Sequence, residues 1–410
     1  MIRRDLQDET CDVVIVGGGA SGLSLAHHLT TTGSCTVTVV EAPEGPRRPP
    51  ERTWCYWDQG TGDFDEAVCA SWSRLRVHGT DGDAVTVNPS PLRYRMIRSS
   101  AFERLVHARL ARSLGGHLLR ATADTVRGTP DGAEVRCTAA DGRTLTLRAR
   151  HVFDSRPPRA LPPARTQLMQ HFRGWFVRTD KDRFDPTVAD LMDFRVPQPH
   201  HGLAFGYVLP LAPDRALVEY TEFSRTPLTT AAYEGALIRY CGDTLELRSY
   251  AVESAEQGVI PMTDARFPRR MGPAVFRIGT AGGATRPATG YTFAAVQRQS
   301  RAIAAALRGG HAQVPAPHGR RALAMDAVLL RALDTGRISG PEFFTGLFRG
   351  VPAHRLLRFL DGATSFWEEW GIGLRTPIGP MLRTAVELPF LPRRVHPDPR
   401  TGEHPDDTAA

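Results

Sequence analysis

Lysine is almost missing. Of 51 basic side chains one is a lysine, Lys181, and the rest are arginine. With plentiful Ala, Gly and Pro this points to GC-rich coding. The net charge of +7 therefore says less about nucleic acid than its size suggests. No nucleic-acid motif accompanies it, and no such partner is expected. The charge does suit anionic lipid head groups. Cysteine is scarce and scattered: Cys11, Cys35, Cys55, Cys69, Cys137 and Cys241, with no C-x-x-C pair. That argues against a disulfide framework or a zinc module and fits a reducing cytoplasm. No metal site is expected. No stretch approaches roughly 18 uninterrupted apolar residues, so no membrane span is expected. The opening MIRRDLQDE has no apolar core of the kind a secretion signal carries. Internal repeats are not evident. A chain of 410 residues can still bury a large core, and two intimately joined domains are expected.

What is present organises itself around Cys11 to Glu41. Asp12 to Val16 is a short β-branched run, as in a strand buried on both faces. Gly17, Gly19 and Gly22 follow in the pattern G-x-G-x-x-G, and Leu23, Leu25, Ala26 and Leu29 continue at helical spacing. Gly17 allows the turn, Gly19 lets a pyrophosphate approach, and Gly22 lets helix and strand close up. A second apolar strand ends in Glu41, 19 residues after Gly22, where a carboxylate can hold a ribose hydroxyl. The motif predicts a bound dinucleotide and does not itself separate FAD from NAD.

A Pro- and Arg-rich loop then leads to Trp54, Tyr56 and Trp57. These are either an aromatic cluster under the loop or one wall of an apolar pocket. Trp72 to Val87 reads as a strand pair, Ser99 to Leu110 as a helix, and 117–149 as strands. Val152-Phe153-Asp154 suits a return to the nucleotide-binding sheet. From 170 to 258 the chain reads as strands of one open sheet, up to Phe223, and then a helix from roughly Leu228 to Cys241. Period two puts Leu217, Glu219 and Thr221 on one face of a strand. Val275 to Gly283 is another buried strand entering a glycine-rich turn, with Gly279, Gly282, Gly283, Thr289 and Gly290 before a helix from Thr292. Its N-terminus is a second place for amides to face phosphate or a flavin. Helices follow in which aromatic, leucine and arginine side chains mix, and Phe343, Phe344, Leu347 and Phe348 share a face. Such helices either lie on a bilayer or pack on the sheet. The expected divisions are 10–165 and 259–310 for the nucleotide domain, 166–258 for the substrate sheet, 311–393 for the C-terminal helices, and 394–410 for a disordered tail.

These blocks together resemble the flavin-dependent lycopene cyclases of bacteria and plants. The resemblance rests on the dinucleotide motif, Arg52-Thr53-Trp54, Leu191 to Arg195 with Gln198, and Tyr207-Val208-Leu209-Pro210 with Leu217-Val218-Glu219-Tyr220-Thr221. It continues through Gly258 to Met262, Gly279 to Phe293, Phe343-Phe344 and Arg358-Phe359-Leu360. It implies an α/β (α+β) fold: a Rossmann-like FAD-binding domain, an interleaved antiparallel sheet for substrate, and C-terminal helices. It implies reduced FAD as cofactor, NAD(P)H as reductant, a linear carotene such as lycopene as substrate, and β-ionone rings as product without net redox change. Glu219 is then the catalytic acid. Gly17, Gly19, Gly22, Glu41, Asp154, Gly279, Gly282, Gly283, Thr289 and Gly290 are the cofactor residues. Trp54, Tyr56, Trp57, Asp193 and Arg195 are candidates for the substrate pocket, the last two reading better as a structural pair. Thr280 stands where related flavoproteins often carry an aspartate for the ribitol.

The chemistry asks for a strong, dry acid, because an alkene is a poor base. A buried carboxylic acid stays neutral, and aromatic faces near a developing cation contribute roughly 0.5–2 kcal/mol each. The expected place is the cytoplasmic face of the membrane. Competing readings are a redox flavoprotein (monooxygenase or isoprenoid reductase), a cyclase for another polyene or meroterpenoid, and a carotenoid-binding protein without catalysis.

Overall fold

The computed structural model describes residues 10–31, 33 and 35–397. The N-terminal run lies outside the described residues, and so does the expected disordered tail from residue 398 onward. The start of that tail does not behave as expected. Arg394 exchanges backbone hydrogen bonds with Ala164, and Gln167 donates to the carbonyl of Pro397.

A parallel sheet forms the nucleotide side. Its strands β1 (Thr10–Val16), β2 (Val37–Glu41), β8 (Gly116–Thr129), β10 (Thr144–Asp154) and β16 (Val275–Arg277) lie in the order β8-β2-β1-β10-β16. The outer halves of β8 and β10 pair antiparallel with β9 (Gly132–Ala139) to make a meander. Helices α1 (Ala20–Thr30), α2 (Ser99–Arg112) and α4 (Phe293–Arg308) bury one face, where Ile15, Leu23, Val39, Phe102, Phe153 and Ile303 pack. Val14, Val16, Val135 and Val152 pack on the other face, towards the meander.

Seven strands form the second sheet, in the order β15 (Tyr250–Thr263), β11 (Gln167–Thr179), β14 (Arg215–Ser224), β13 (Leu203–Ala212), β12 (Val188–Asp193), β5 (Arg74–His78) and β6 (Ala84–Val87). Pairing is antiparallel except between β12 and β5. The β5–β6 hairpin thus leaves the nucleotide segment in which the chain carries it and completes the edge of the substrate sheet.

Alternation decides what each face meets. Leu217, Phe223, Phe176, Leu209 and Met262 go to the inner face, under α5 (Arg320–Asp334), α6 (Gly340–Gly350) and α7 (Ala353–Leu360). Val218, Tyr220, Trp175 and Val208 go to the outer face, against α3 (Thr230–Arg239). Gly340 is a glycine because a Cβ there would lie 2.5 Å from Leu203 Cδ2. A small sheet, β3 (Thr53–Asp58), β7 (Arg93–Arg98) and β4 (Val68–Trp72), stands between the two large ones. The chain closes on α8 (Phe366–Gly373) and α9 (Ile378–Glu387). Of the two alternatives for the C-terminal helices, packing on the sheet is what α6 does. Phe343, Phe344, Leu347 and Phe348 of α6 are buried on the sheet, whereas α8 and α9 carry the exposed apolar side chains.

Candidate functional site

The dinucleotide cradle forms where β1, β10 and β16 end side by side. A Cβ at Gly22 would lie 1.9 Å from the Gly17 carbonyl oxygen, and one at Gly17 would lie 2.4 Å from Ser155 Oγ. Gly17 has φ +100° and Gly279 +64°, both left-handed. A Cβ at Gly279 would meet Ser21 Cβ at 2.9 Å, so the second glycine turn closes onto the start of α1. Gly19 differs: nothing lies within 4 Å of its Cβ position. Gly19 is also the N-cap of α1, and no side chain caps it. Uncapped amides beside open space, with the helix dipole behind them, fit a pyrophosphate.

Glu41 ends β2 inside a basic nest. Arg120 Nη1 is 2.7 Å from its carboxylate, and Arg48 and His107 are each 3.3 Å away. Its Oε2 faces Arg120 and His107 without a hydrogen bond of good geometry to either. Gly18, the variable position of the motif, must also be small: a Cβ would lie 2.5 Å from the Glu41 carboxyl. Asp154 lies beside Val16 in register, but its carboxylate is taken by Arg156, at 2.7 Å and through the Arg156 amide. It serves the turn after β10. In the second glycine turn, Gly282 packs on the Arg277 carbonyl and Gly283 on Phe267. Thr289 Oγ1 is buried without a hydrogen-bond partner, and so is Gln170 Oε1, which a Cβ at Gly290 would strike at 2.0 Å. These two orphaned groups suit the polar edge of a flavin. Sequence reading misses Gln170, whose only signal is its place at the start of β11.

The inner face of the substrate sheet holds the reactive groups. Glu219 is 7% exposed, and its Oε1 accepts a 2.5 Å hydrogen bond from Thr221 Oγ1. Burial first, and the negative charge of Glu256 second, push its pKa up to about 8 against the pull of Thr221. The acid is therefore protonated at neutral pH. Tyr207 stands opposite it on β13. The Tyr207 and Tyr94 hydroxyls are 2.6 Å apart, and Tyr94 and Tyr291 are 3.2 Å apart. Burial raises all three phenols and the neighbouring Cys55 thiol. Trp57 closes on Tyr291, with centroids 4.5 Å apart.

The three aromatics of β3 do not form one wall. They lie on a strand rather than a loop, and alternation divides them. Trp57 reaches the tyrosines. Trp54 and Tyr56 stack on Phe293 at 5.8 and 4.8 Å and join the nucleotide-side core. Asp193 and Arg195 are not brought to Glu219 either. Arg195 forks onto Asp193 at 2.5–2.8 Å and Tyr240 Oη donates to Asp193 at 3.0 Å, on the outer face of the sheet. Their arrangement is that of a buried structural pair.

A model of the family described as lycopene cyclase protein matches residues 12–386. The chain belongs to the lycopene cyclase family. No curated protein matches it. Among solved structures it is similar to a geranylgeranyl bacteriochlorophyll reductase-like protein from Thermoplasma acidophilum, with TM-score 0.60, 14% identity, and 94% of this chain and 100% of that one covered. A p-nitrophenol 4-monooxygenase from Pseudomonas putida gives TM-score 0.59 and 16% identity over 94% and 100%. A flavoprotein/dehydrogenase from Cytophaga hutchinsonii gives 0.61 and 11% over 92% and 99%. At such identities the likeness is one of fold. In this member of the cyclase family, the fold brings a nucleotide cradle and a dry carboxylic acid to the two sides of one small sheet.

Among the described residues, His27, His28 and Asp63 are the group with metal-ligand spacing. Asp63 is bonded to Arg301 at 2.9 Å, and burial lowers the pKa of both imidazoles. Among the described residues no helix is long and apolar enough to cross a membrane.

Proposed function

We propose that the protein is a lycopene β-cyclase, converting the ψ-ends of lycopene to β-ionone rings through γ-carotene to β-carotene. The observation that carries the reading is Glu219, a neutral carboxylic acid under an aromatic and phenolic lining, in a chain of the lycopene cyclase family. Glu219 gives its proton to the terminal alkene. The neighbouring double bond attacks the resulting tertiary cation, and loss of a ring proton sets the β double bond. Trp57, Tyr94 and Tyr291 present π faces, and the protonated phenols add no competing base. Gly17, Gly19, Gly22, Glu41, Gly279, Thr289 and Gly290, joined by Gln170, would hold FAD. Reduced by NAD(P)H, the bound FAD would supply negative charge to a water-poor site, without net electron transfer.

A substrate dissolved in lipid calls for a lipid surface. Phe366, Trp367 and Trp370 of α8 with Leu374 just after it, then Ile378, Leu382 and Val386 of α9 with Phe390 just beyond, are 48–83% exposed. Arg375 and Arg383 lie among them and make no ion pair among the described residues. An aromatic ridge studded with arginine suits an anionic bilayer better than a second protein chain. The protein then works peripherally on the cytoplasmic face. Flotation with liposomes containing anionic lipid tests this. Trp367→Ser/Trp370→Ser should lose the lipid fraction, while a ridge that instead joins two copies would show as a monomer–dimer change without lipid.

The first assay is anaerobic, with lycopene in liposomes, FAD and excess NADPH, and chromatography of the pigments. Wild type should make γ- and β-carotene with catalytic reductant, and Glu219→Gln should make neither while keeping flavin. The fold also suits a monooxygenase or reductase. Stoichiometric NADPH consumption with lycopene untouched would favour that reading.

A further inference from the structure

Two carboxylates flank a glycine on the inner face of the substrate sheet. Gly174 of β11 is in register with Glu219 of β14 on one side and with Glu256 of β15 on the other. Residues in register on adjacent strands point to the same face. Strands lie about 4.8 Å apart, so the two glutamate backbones are roughly 10 Å apart with no side chain between them. A Cβ at the middle position would lie 2.8 Å from Leu217 Cδ1 and 3.4 Å from Glu219 Cβ, so the glycine keeps the space between the two acids open. Glu256 is held from the small sheet, where Thr53 Oγ1 donates to its Oε2 at 2.7 Å.

We propose that Glu256 is the base that completes the cyclisation Glu219 begins, a further assignment that rests on the cyclase reading. The alkene π pair takes the Glu219 proton and forms a C–H bond. The next double bond gives its pair to the ring C–C bond and leaves the charge on the ring. The adjacent C–H pair then becomes the ring double bond, and its proton goes to the Glu256 carboxylate. One proton enters, one leaves, and no electron is gained or lost. Passage of that proton back across Gly174 to Glu219 restores the starting state.

The surrounding groups leave Glu256 as the acceptor. Around the pair stand Cys55 from β3, Tyr94 and Arg98 from β7, Tyr207 from β13 and Tyr291 from the glycine turn, with Glu51 beyond Arg98. The thiol and the phenols are held protonated by burial, Arg98 is a cation, and Glu51 is hydrogen-bonded to Arg98. Burial raises the pKa of the half-buried Glu256, against the pull of the Thr53 hydrogen bond and the Arg98 charge towards the ionised form.

The test uses the full-length holoenzyme with reduced FAD and lycopene in liposomes. Glu256→Gln should keep FAD but cyclise about 100-fold more slowly, the scale of a lost general base. Its products should include rings whose double bond lies elsewhere, because the ring proton is lost at another carbon. Glu256→Asp should recover part of the rate and the β ring. Wild-type rate and ring type in Glu256→Gln would overturn the assignment, as would equal slowing by Gln and Asp. A wild type that leaves lycopene untouched would overturn the cyclase reading too, whereas an active wild type with an unaffected Gln variant overturns this assignment alone.

Discussion

Glu219 shows what one residue costs and what that cost supplies. Its folded pKa is raised from 4.5 to about 8, burial being the larger cause. An acid raised by folding contributes fully to stability below its unfolded pKa, and that contribution is lost as pH rises through the folded value. Wild type should therefore lose stability between about pH 4.5 and pH 8, and Glu219→Gln should lose less. Denaturant melts at pH 5 and pH 9 check this: the variant should gain on wild type by roughly a few kcal/mol at the higher pH. Cyclase activity should fall over the same upper limb, because only the protonated acid can act. A rate that stays flat from pH 7 to pH 10 would remove Glu219 from that role. The alternation of Leu217, Glu219 and Thr221 places this residue on one face of its strand, and the resemblance to the lycopene cyclases is what marks it as the acid. Glu256 is not legible there, because its meaning lies in a register across two strand pairs, and nothing local in β15 carries it.

At the scale of elements, the glycines of the first turn separate packing from binding. Gly22→Ala places a Cβ 1.9 Å from a backbone oxygen, so β1 and α1 must move apart. Both melting temperature and flavin content should fall, with about 1–3 kcal/mol of overpacking cost. Gly19→Ala meets no protein atom within 4 Å and has an extended backbone. It should melt like wild type yet bind FAD more weakly, because its methyl stands where the pyrophosphate is expected. Flavin absorbance of the purified proteins, set beside thermal melts, distinguishes the two. The strand, turn, helix and acidic end of this unit are readable because each is written in a short stretch. Strand β3 reads in sequence as the end of a loop, for its aromatics give composition without showing which side each takes. Helix α9 is hidden in the sequence. Its apolar residues Ile378, Leu382 and Val386 recur every fourth position, but Gly379 and Pro380 in the first turn mask the pattern.

For the whole molecule, the cofactor turn is tied to the C-terminal helices by buried charge. Arg286, in the second glycine turn, is 2% exposed and bonds Asp326 of α5 at 2.8 Å. Gly362, after α7, leaves room for the guanidinium: a Cβ there would lie 2.5 Å from Arg286 Nη1. Beside it Arg298 of α4 bonds Asp361 through both oxygens and the backbone carbonyl. Sequence alone marks Arg286 as one arginine among 50, since only the fold shows that it is buried. Burial raises the Asp326 pKa to about 6, with Arg286 pulling the other way. Removing Arg286 takes away the positive charge that favours an ionised Asp326. Arg286→Met should then cost on the order of 3–5 kcal/mol at pH 7.5, the scale of a buried pair left with one partner. The sign with pH follows from the raised acid. Without Arg286 the Asp326 pKa rises above about 6, so the deficit shrinks as pH falls to about 6, below which the acid is neutral in both folded proteins. Arg286→Met/Asp326→Leu removes both charges and should recover most of the loss at pH 7.5. Urea melts of the three proteins at pH 5 and pH 7.5 decide it. A single variant equally unstable at both values, and unrescued by the second change, would mean that Arg286 holds the cofactor turn by shape rather than by charge.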